Sequence, residues 1–303
     1  MAIGMDHDRT ARSAEEPSRR RVLRAALSVT AMGIFTPTLA AQRASQPFTV
    51  GLLGTREPPS LATKTLRRVL ERAVARAVAF ETFTDGERLV EAAATGRVAL
   101  SVHTALTYAA ARVACDCLVP LVRPITPDGQ AGLRAVVLAR RGGTLRRTDD
   151  LAGATVLGGS DGSIPARVAR IGLRHRLRGL AAPLFIGTGA RVDVRRFAAG
   201  AGDALIGHQI VDRFGGAIAG HGTAAKLDGE GDYTVLWRSG PIWHGPVALH
   251  RSHAALAGRV REALLSAPSA GAETIGLGLG RVSLDPARSE EYDLLPLLLR
   301  ADG

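Results

Sequence analysis

Short apolar runs alternate along the chain with longer segments in which apolar residues recur every three or four positions. The runs Phe48–Leu53 and 98–102 have the length and the β-branched or aromatic content of buried strands. Segment 61–79 is instead typical of an amphipathic helix, because its apolar residues fall on one side of a 3.6-residue repeat. From Pro47 onward, this alternation of strand and helix predicts an α/β fold.

The second half of the chain continues the pattern around a loop rich in glycine and serine. Run 133–139 is strongly β-prone and is predicted to cross between two halves of the fold. Strand 155–157 leads into loop 158–163, and a helix is predicted from Pro165 to about Leu177. Further strands are predicted at 185–186, 203–207 and 233–237, and a further helix over 192–199.

The first forty residues carry the pattern of an export signal. Residues 18–24 contain the paired arginines of a twin-arginine signal, and an apolar stretch follows from Ala25 to Ala40. The small residues at the end of this stretch fit cleavage just before Ala41. We therefore expect residues 1–40 to be a twin-arginine signal peptide and the protein to lie in the periplasm. The alternative is an N-terminal anchor helix, for which the apolar stretch is short.

The charge of the chain favours an anionic partner of small size. The 303 residues include 39 basic and 28 acidic side chains, which gives a formal charge of +11. Removing residues 1–40 takes away six arginines and four acidic residues, so the remainder keeps a charge of +9. The arginines are scattered singly, and only 4% of the residues are aromatic. Because stacking platforms for bases are missing, we do not expect nucleic acid as a partner.

Three stretches in the same order resemble the phosphate-, phosphite- and phosphonate-binding periplasmic proteins of ABC importers. Residues 95–101, followed by His103-Thr104 and Tyr108, are similar to a strand, ligand loop and tyrosine-bearing helix of that family. Residues 149–156 resemble the segment with which the family begins its second lobe. The third stretch comprises residues 194–206 and 237–242, which are similar to the path back to the first lobe.

This resemblance implies a type 2 periplasmic binding protein, with two α/β lobes and a ligand cleft between them. Its expected organisation is lobe 1 over residues 47–134 plus 234–303, and lobe 2 over residues 135–233. It further implies a monomer without a cofactor that hands a small anionic ligand to an ABC permease in the inner membrane.

Candidate ligand-binding residues lie in two loops that each join a strand to a helix. Helix N-termini present unpaired N–H groups and a partial positive charge, and ligands of open α/β sheets lie beyond the strand ends that feed them. His208 stands where the family commonly has an acidic residue, which favours an oxyanion over an ammonium group. Alternatively, the Gly/Ser loop is an ordinary turn with an N-cap, and His208 is structural. The predicted site comprises His103, Thr104, Tyr108, Ser160, Gly162, Ser163 and His208.

The only two cysteines, Cys115 and Cys117, leave a second function open. Cysteines separated by a single residue close a tight ring and rarely form an unstrained disulfide, so we expect the pair to stay unlinked. Two thiolates could then bind arsenite or a soft metal ion, in a periplasmic sensor that signals to a histidine kinase. The alternatives are two small buried residues or a redox pair.

No motif in the sequence favours an enzyme. The chain contains no G-x-S-x-G, HExxH, P-loop or dinucleotide-binding fingerprint. The glycines at 276, 278 and 280 lack a βαβ context and are predicted to form a loop. We therefore expect a binding protein without catalytic residues.

Overall fold

The computed structural model describes residues 46–54, 60–158, 163–223, 227 and 232–300. The predicted signal peptide, residues 1–40, and the predicted site residues Ser160 and Gly162 lie outside the described residues. In the described part of the chain, no helix is both long enough and apolar enough to span a bilayer.

Strands and helices alternate as the apolar pattern predicts. The strands are β1 Phe48–Leu53, β2 Val78–Phe83, β3 Leu100–Val102, β4 Leu118–Ile125, β5 Gly132–Arg140, β6 Thr155–Leu157, β7 Leu184–Ile186, β8 Ala204–Val211, β9 Tyr233–Arg238, β10 Ile242–Trp243, β11 Val247–His250 and β12 Ser283–Pro286. The helices are α1 Ser60–Val74, α2 Gly86–Ala94, α3 Ala105–Ala114, α4 Ile164–Arg176, α5 Ala190–Ala198, α6 Ala257–Leu265, α7 Ser269–Glu273 and α8 Leu295–Arg300, with 3-10 turns at Thr148–Leu151, Arg251–Leu256 and Ser289–Tyr292.

The first sheet has the order β12-β4-β11-β3-β1-β2. Its strands β1, β2 and β3 are parallel, whereas β11 runs antiparallel to both β3 and β4. Phe48, Val50 and Leu66 are buried in one apolar cluster of this sheet, which explains the amphipathic pattern of α1. The helix predicted over 61–79 ends at Val74 instead, because Ala75 has a positive φ of 53° that stops the helix before β2.

The second sheet has the order β10-β5-β8-β6-β7, and β9 also pairs with β5. Strands β6, β7 and β8 are parallel, so the carboxyl ends of β6 and β7 lead into α4 and α5 at one edge of the sheet. Residues 234–243, which the expected lobe division places with lobe 1, pair here with β5. The chain rejoins the first sheet only at β11.

The chain passes between the two sheets at two neighbouring places. Residues 126–131 lead from β4 to β5, and residues 244–246 lead back from β10 to β11. The two segments are hydrogen-bonded to each other, since the backbone N–H of His244 donates to the carbonyl of Ala131 at 2.9 Å. Two adjacent crossing segments are the arrangement expected of a hinge between two lobes.

Candidate functional site

Two cavities share Leu133 as a boundary, and the first of them lies where the two sheets face each other. The first, of about 260 Å³, is bordered by apolar side chains from both sheets, and we call it the apolar cavity. The second, of about 630 Å³, lies against the second sheet and is bordered by two arginines, and we call it the cationic cavity. Leu133 lines both cavities, and at the start of α4 Ser163 lines the cationic cavity while Ile164 lines the apolar one.

The cationic cavity receives the N-termini of α4 and α5. Ser163 caps α4, because its hydroxyl accepts a hydrogen bond from the N–H of Ala166 at 3.3 Å. Helix α5 has no such cap: it follows Gly189, whose φ of 118° only glycine adopts readily. The N–H groups of Val192 and Asp193 both donate to the carbonyl of Gly189 at 2.9 Å, so the N–H groups of Ala190 and Arg191 are those that lack a capping side chain. The helix dipole adds positive potential at this point.

Arg191 and Arg195 line the cationic cavity from the first two turns of α5. Residues four apart lie on the same side of a helix, so both guanidinium groups are on the cavity side. The acidic residue in the same turn, Asp193, is buried and accepts hydrogen bonds from the N–H of Thr188 at 3.2 Å and from its hydroxyl at 2.8 Å. The carboxylate of Asp193 is thus hydrogen-bonded to the loop before α5, and Asp193 does not line the cavity.

Neither arginine belongs to the site that the sequence predicts. The helical pattern placed the start of this helix at residue 192, two residues later than the helix begins, so Arg191 fell in the preceding loop. The sequence feature that could have identified the pair is the four-residue spacing of Arg191 and Arg195 just after Gly189. This spacing is informative only when the residue at which the helix begins is known.

His208 lines the cationic cavity from the middle of β8. The hydroxyl of Thr223 accepts a hydrogen bond from the N–H of His208 at 2.9 Å and lies 3.2 Å from Nδ1 of the same residue. Since this hydroxyl already accepts from the backbone, its hydrogen can be given to Nδ1. The neutral ring then carries its own proton on Nε2, where it is a hydrogen-bond donor.

The predicted residues of the first lobe lie at the other cavity. Thr104 lines the apolar cavity but uses its hydroxyl to cap α3, in a reciprocal pair of hydrogen bonds with Thr107. His103 also lines the apolar cavity and is fully buried; its Nε2 lies 2.8 Å from the hydroxyl of Ser101. Burial lowers the pKa of His103 to about 3, so the ring is neutral at physiological pH.

Tyr108 is placed away from both cavities. It is fully buried in the core, where its ring lies 5.8 Å from that of His103 and 5.0 Å from that of Tyr292. The structure therefore brings Ser163 and His208 together at the cationic cavity, and His103 and Thr104 at the apolar cavity. Tyr108 supports His103 from behind.

Cys115 and Cys117 form a disulfide, with their Cα atoms 5.1 Å apart. The expectation that a disulfide is disfavoured is wrong, because Cys115 ends α3 and the bend at Asp116 brings the two residues together. A thiolate site for arsenite or a soft metal is therefore not supported, since both cysteines are paired. Within the described ranges, no group of three or more metal-ligating side chains is assembled elsewhere.

Comparison with known proteins agrees with the two-sheet architecture. Residues 51–292 match the family model for the phosphonate-type periplasmic substrate-binding proteins of ABC transporters. Among solved structures, XAC2383 from Xanthomonas citri, bound to chloride or to ATP, superposes with a TM-score of 0.51 at 12% or 13% identity, over 84% of this chain and 97% of that one. PhnD1 from Prochlorococcus marinus in complex with methylphosphonate gives a TM-score of 0.44 at 10% identity, over 84% and 98% of the two chains.

No curated protein sequence matches the chain. At these low identities the solved structures show the fold alone, whereas the family rests on the match over residues 51–292. The predicted α/β fold of type 2 periplasmic binding proteins is confirmed.

Proposed function

Because the chain belongs to the phosphonate-type periplasmic substrate-binding family of ABC transporters, we propose that it captures a small phosphorus oxyanion for an importer. The observation that carries this proposal is the cationic cavity, in which two helix N-termini meet the side chains of Arg191 and Arg195. The oxyanion is a phosphonate, phosphite or phosphate group.

The chemistry of this cavity suits a compact group with several oxygens. Guanidinium groups form charge-assisted, often bidentate hydrogen bonds to such oxygens, and a helix N-terminus adds backbone donors. Ser163 and His208 supply further hydrogen-bond donors at the edge of the same space. No aspartate or glutamate lines the cavity among the described residues, so no carboxylate there competes with an anion.

The mode of action that we propose is reversible closure of two lobes. The two crossing segments allow the second sheet, which carries most of the cationic cavity, to rotate toward the loop at His103-Thr104. A closed cleft excludes water and so strengthens the hydrogen bonds to the anion. The closed protein then docks on a permease in the inner membrane, and the protein itself catalyses no reaction.

We further propose that the protein works as a periplasmic monomer that needs no cofactor. The paired arginines at residues 19–21 favour export by the twin-arginine route, with cleavage before Ala41. The sensor function that the two cysteines suggested is not part of this proposal, since the disulfide leaves neither residue as a thiolate.

Thermal unfolding of the chain without residues 1–40 tests the proposal. The additives are phosphate, phosphite, methylphosphonate, aminoethylphosphonate, sulfate and arsenate, with sodium chloride at matched ionic strength as the control. At about a hundred times its Kd, a ligand that binds only the folded state adds ~2.7 kcal/mol and raises the midpoint by roughly 5–10 °C. We expect such a shift with at least one phosphorus oxyanion. Midpoints that follow only ionic strength would contradict the proposal.

A further inference from the structure

The apolar cavity has no charged wall. Its lining includes the side chains of Leu133, Ile164, Ile210, Ile242 and Trp243. Neither acidic nor basic side chains of the Asp, Glu, Lys or Arg type border it among the residues that the structure describes. An anion moved into this space would lose its hydration without gaining an opposite charge, which is unfavourable.

Two histidines at the rim of the apolar cavity are held neutral. Burial lowers the pKa of His103 to about 3, and burial together with the nearby charge of Arg123 lowers the pKa of His244. Within the described part of the chain, Nδ1 of His103 and Nε2 of His244 are buried without a hydrogen-bond partner. Neither ring therefore provides a cationic contact to a molecule in the apolar cavity.

Trp243 forms a fixed aromatic wall of the same cavity. The guanidinium carbon of Arg123 lies 4.2 Å from the centroid of its ring. Arg123 is in turn buried and held by ion pairs with Asp285 at 3.1 Å and Glu291 at 2.7 Å. Because the ring is supported in this way, the apolar cavity does not depend on a ligand to take its shape.

The two cavities are adjacent along β8 and share one bordering residue, Leu133. His208 of the cationic cavity and Ile210 of the apolar cavity are two residues apart on β8, so both side chains project to the same face of the sheet. Leu133 borders both spaces. A cavity of about 150 Å³ is large enough for benzene in another protein, and the apolar cavity has about 260 Å³.

We propose that the physiological ligand is an organic oxyanion with a hydrophobic substituent of about the size of a phenyl ring. Its anionic head lies in the cationic cavity, and its substituent lies against Trp243, Ile210 and Ile242 in the apolar cavity. This inference rests on the proposed function, because the head is the oxyanion that the function requires.

Isothermal titration calorimetry with a matched ligand pair tests the inference. Methylphosphonate and phenylphosphonate share the anionic head and differ in the substituent. The ratio of their affinities therefore measures how much the apolar cavity contributes to binding of the substituent. We expect phenylphosphonate to bind at least tenfold more tightly, because burying the ring removes apolar surface from water. In Ile210→Ala, the ratio of the phenylphosphonate affinity to the methylphosphonate affinity should fall severalfold.

Leu184→Ala is the matched control, since Leu184 is an exposed aliphatic residue of β7 that lines neither cavity. It should leave both affinities as they are. Equal affinities for the two phosphonates would overturn the inference and leave the proposed function intact. An advantage for phenylphosphonate that persists in Ile210→Ala would also overturn it. Absence of binding by either ligand and by phosphate and phosphite would instead remove the proposed function.

Discussion

Arg191 and Arg195 lie one helical turn apart on α5, so their two charges act on the same small volume. A bound oxyanion would take charge-assisted hydrogen bonds from them, and each such bond contributes about 1.5–3 kcal/mol. Both residues are exposed, so solvent screens their charges.

We expect Arg195→Ala to weaken methylphosphonate binding by about 10- to 100-fold, because one charge-assisted contact is lost. The measurement is isothermal titration calorimetry at constant ionic strength. Arg196→Ala is the matched control: the residue is the next arginine on the same helix and does not line the cavity. Equal losses in the two variants would show that only the net charge matters, and would contradict a specific contact by Arg195.

Local sequence patterns identified the hydroxyl and imidazole residues at the two cavities better than they identified the arginines. The positions of Ser163 and Thr104 could be predicted from the sequence, because an N-cap is determined by residues within one helical turn. Both residues do cap helices. Tyr108 was included in the predicted site because of the resemblance to the family's tyrosine-bearing helix, although its ring is in the core. Arg191 and Arg195 were missed because their side depends on the residue at which α5 begins.

Helix α3 shows how an element can limit the chemistry of its residues. It ends at Cys115, and the bend at Asp116 turns Cys117 back to form the disulfide. A pairing of this kind closes a ring of only three residues, so it restricts the unfolded chain little. Neither cysteine lines a cavity in the described part of the chain.

We therefore expect Cys115→Ser with Cys117→Ser to lower the free energy of unfolding by only about 1–2 kcal/mol. The affinity for methylphosphonate should be unchanged, because the binding residues are on other elements. Thermal unfolding and calorimetry on the same preparation measure both quantities. A loss of methylphosphonate affinity larger than threefold would show that the disulfide shapes the site, contrary to this account.

The bounds of a helix or strand could be predicted from the sequence where its buried residues recur with a regular period. Strand β1 has the predicted bounds, and β5 exceeds its predicted run by one residue at each end. The helix predicted over 61–79 was too long, since the positive φ of Ala75 leaves no trace in the apolar pattern. Short strands that end in loops, such as β3, were predicted within two residues.

The whole molecule is two sheets connected at more than the two crossing segments. The C-terminal helix α8 packs against both α3 of the first lobe and α4 of the second. The hydroxyl of Tyr292 donates to the carbonyl of His244 in one crossing segment at 3.0 Å. An ion pair at 3.7 Å also joins Arg213, just after β8, to Asp285 of β12. Surface pairs of this kind contribute little energy, so they need not oppose movement of the lobes.

The resemblance predicted two lobes, but it did not predict which sheet residues 234–243 join. Residues 234–243 carry an apolar strand pattern that fits either sheet. In the structure, strands β9 and β10 of this segment pair antiparallel with β5, which lies about a hundred residues earlier in the chain. Such long-range pairing leaves no periodic signal in a single sequence, whereas the order of strands and helices does.

The proposed function requires an oxyanion to bind at the N-termini of α4 and α5. A crystal structure of the protein with methylphosphonate tests this binding site most directly. We expect phosphonate oxygens within hydrogen-bond distance of the Arg191 and Arg195 side chains and of the backbone N–H groups at the start of α5. A phosphonate group bound in the apolar cavity, or outside both cavities, would contradict it.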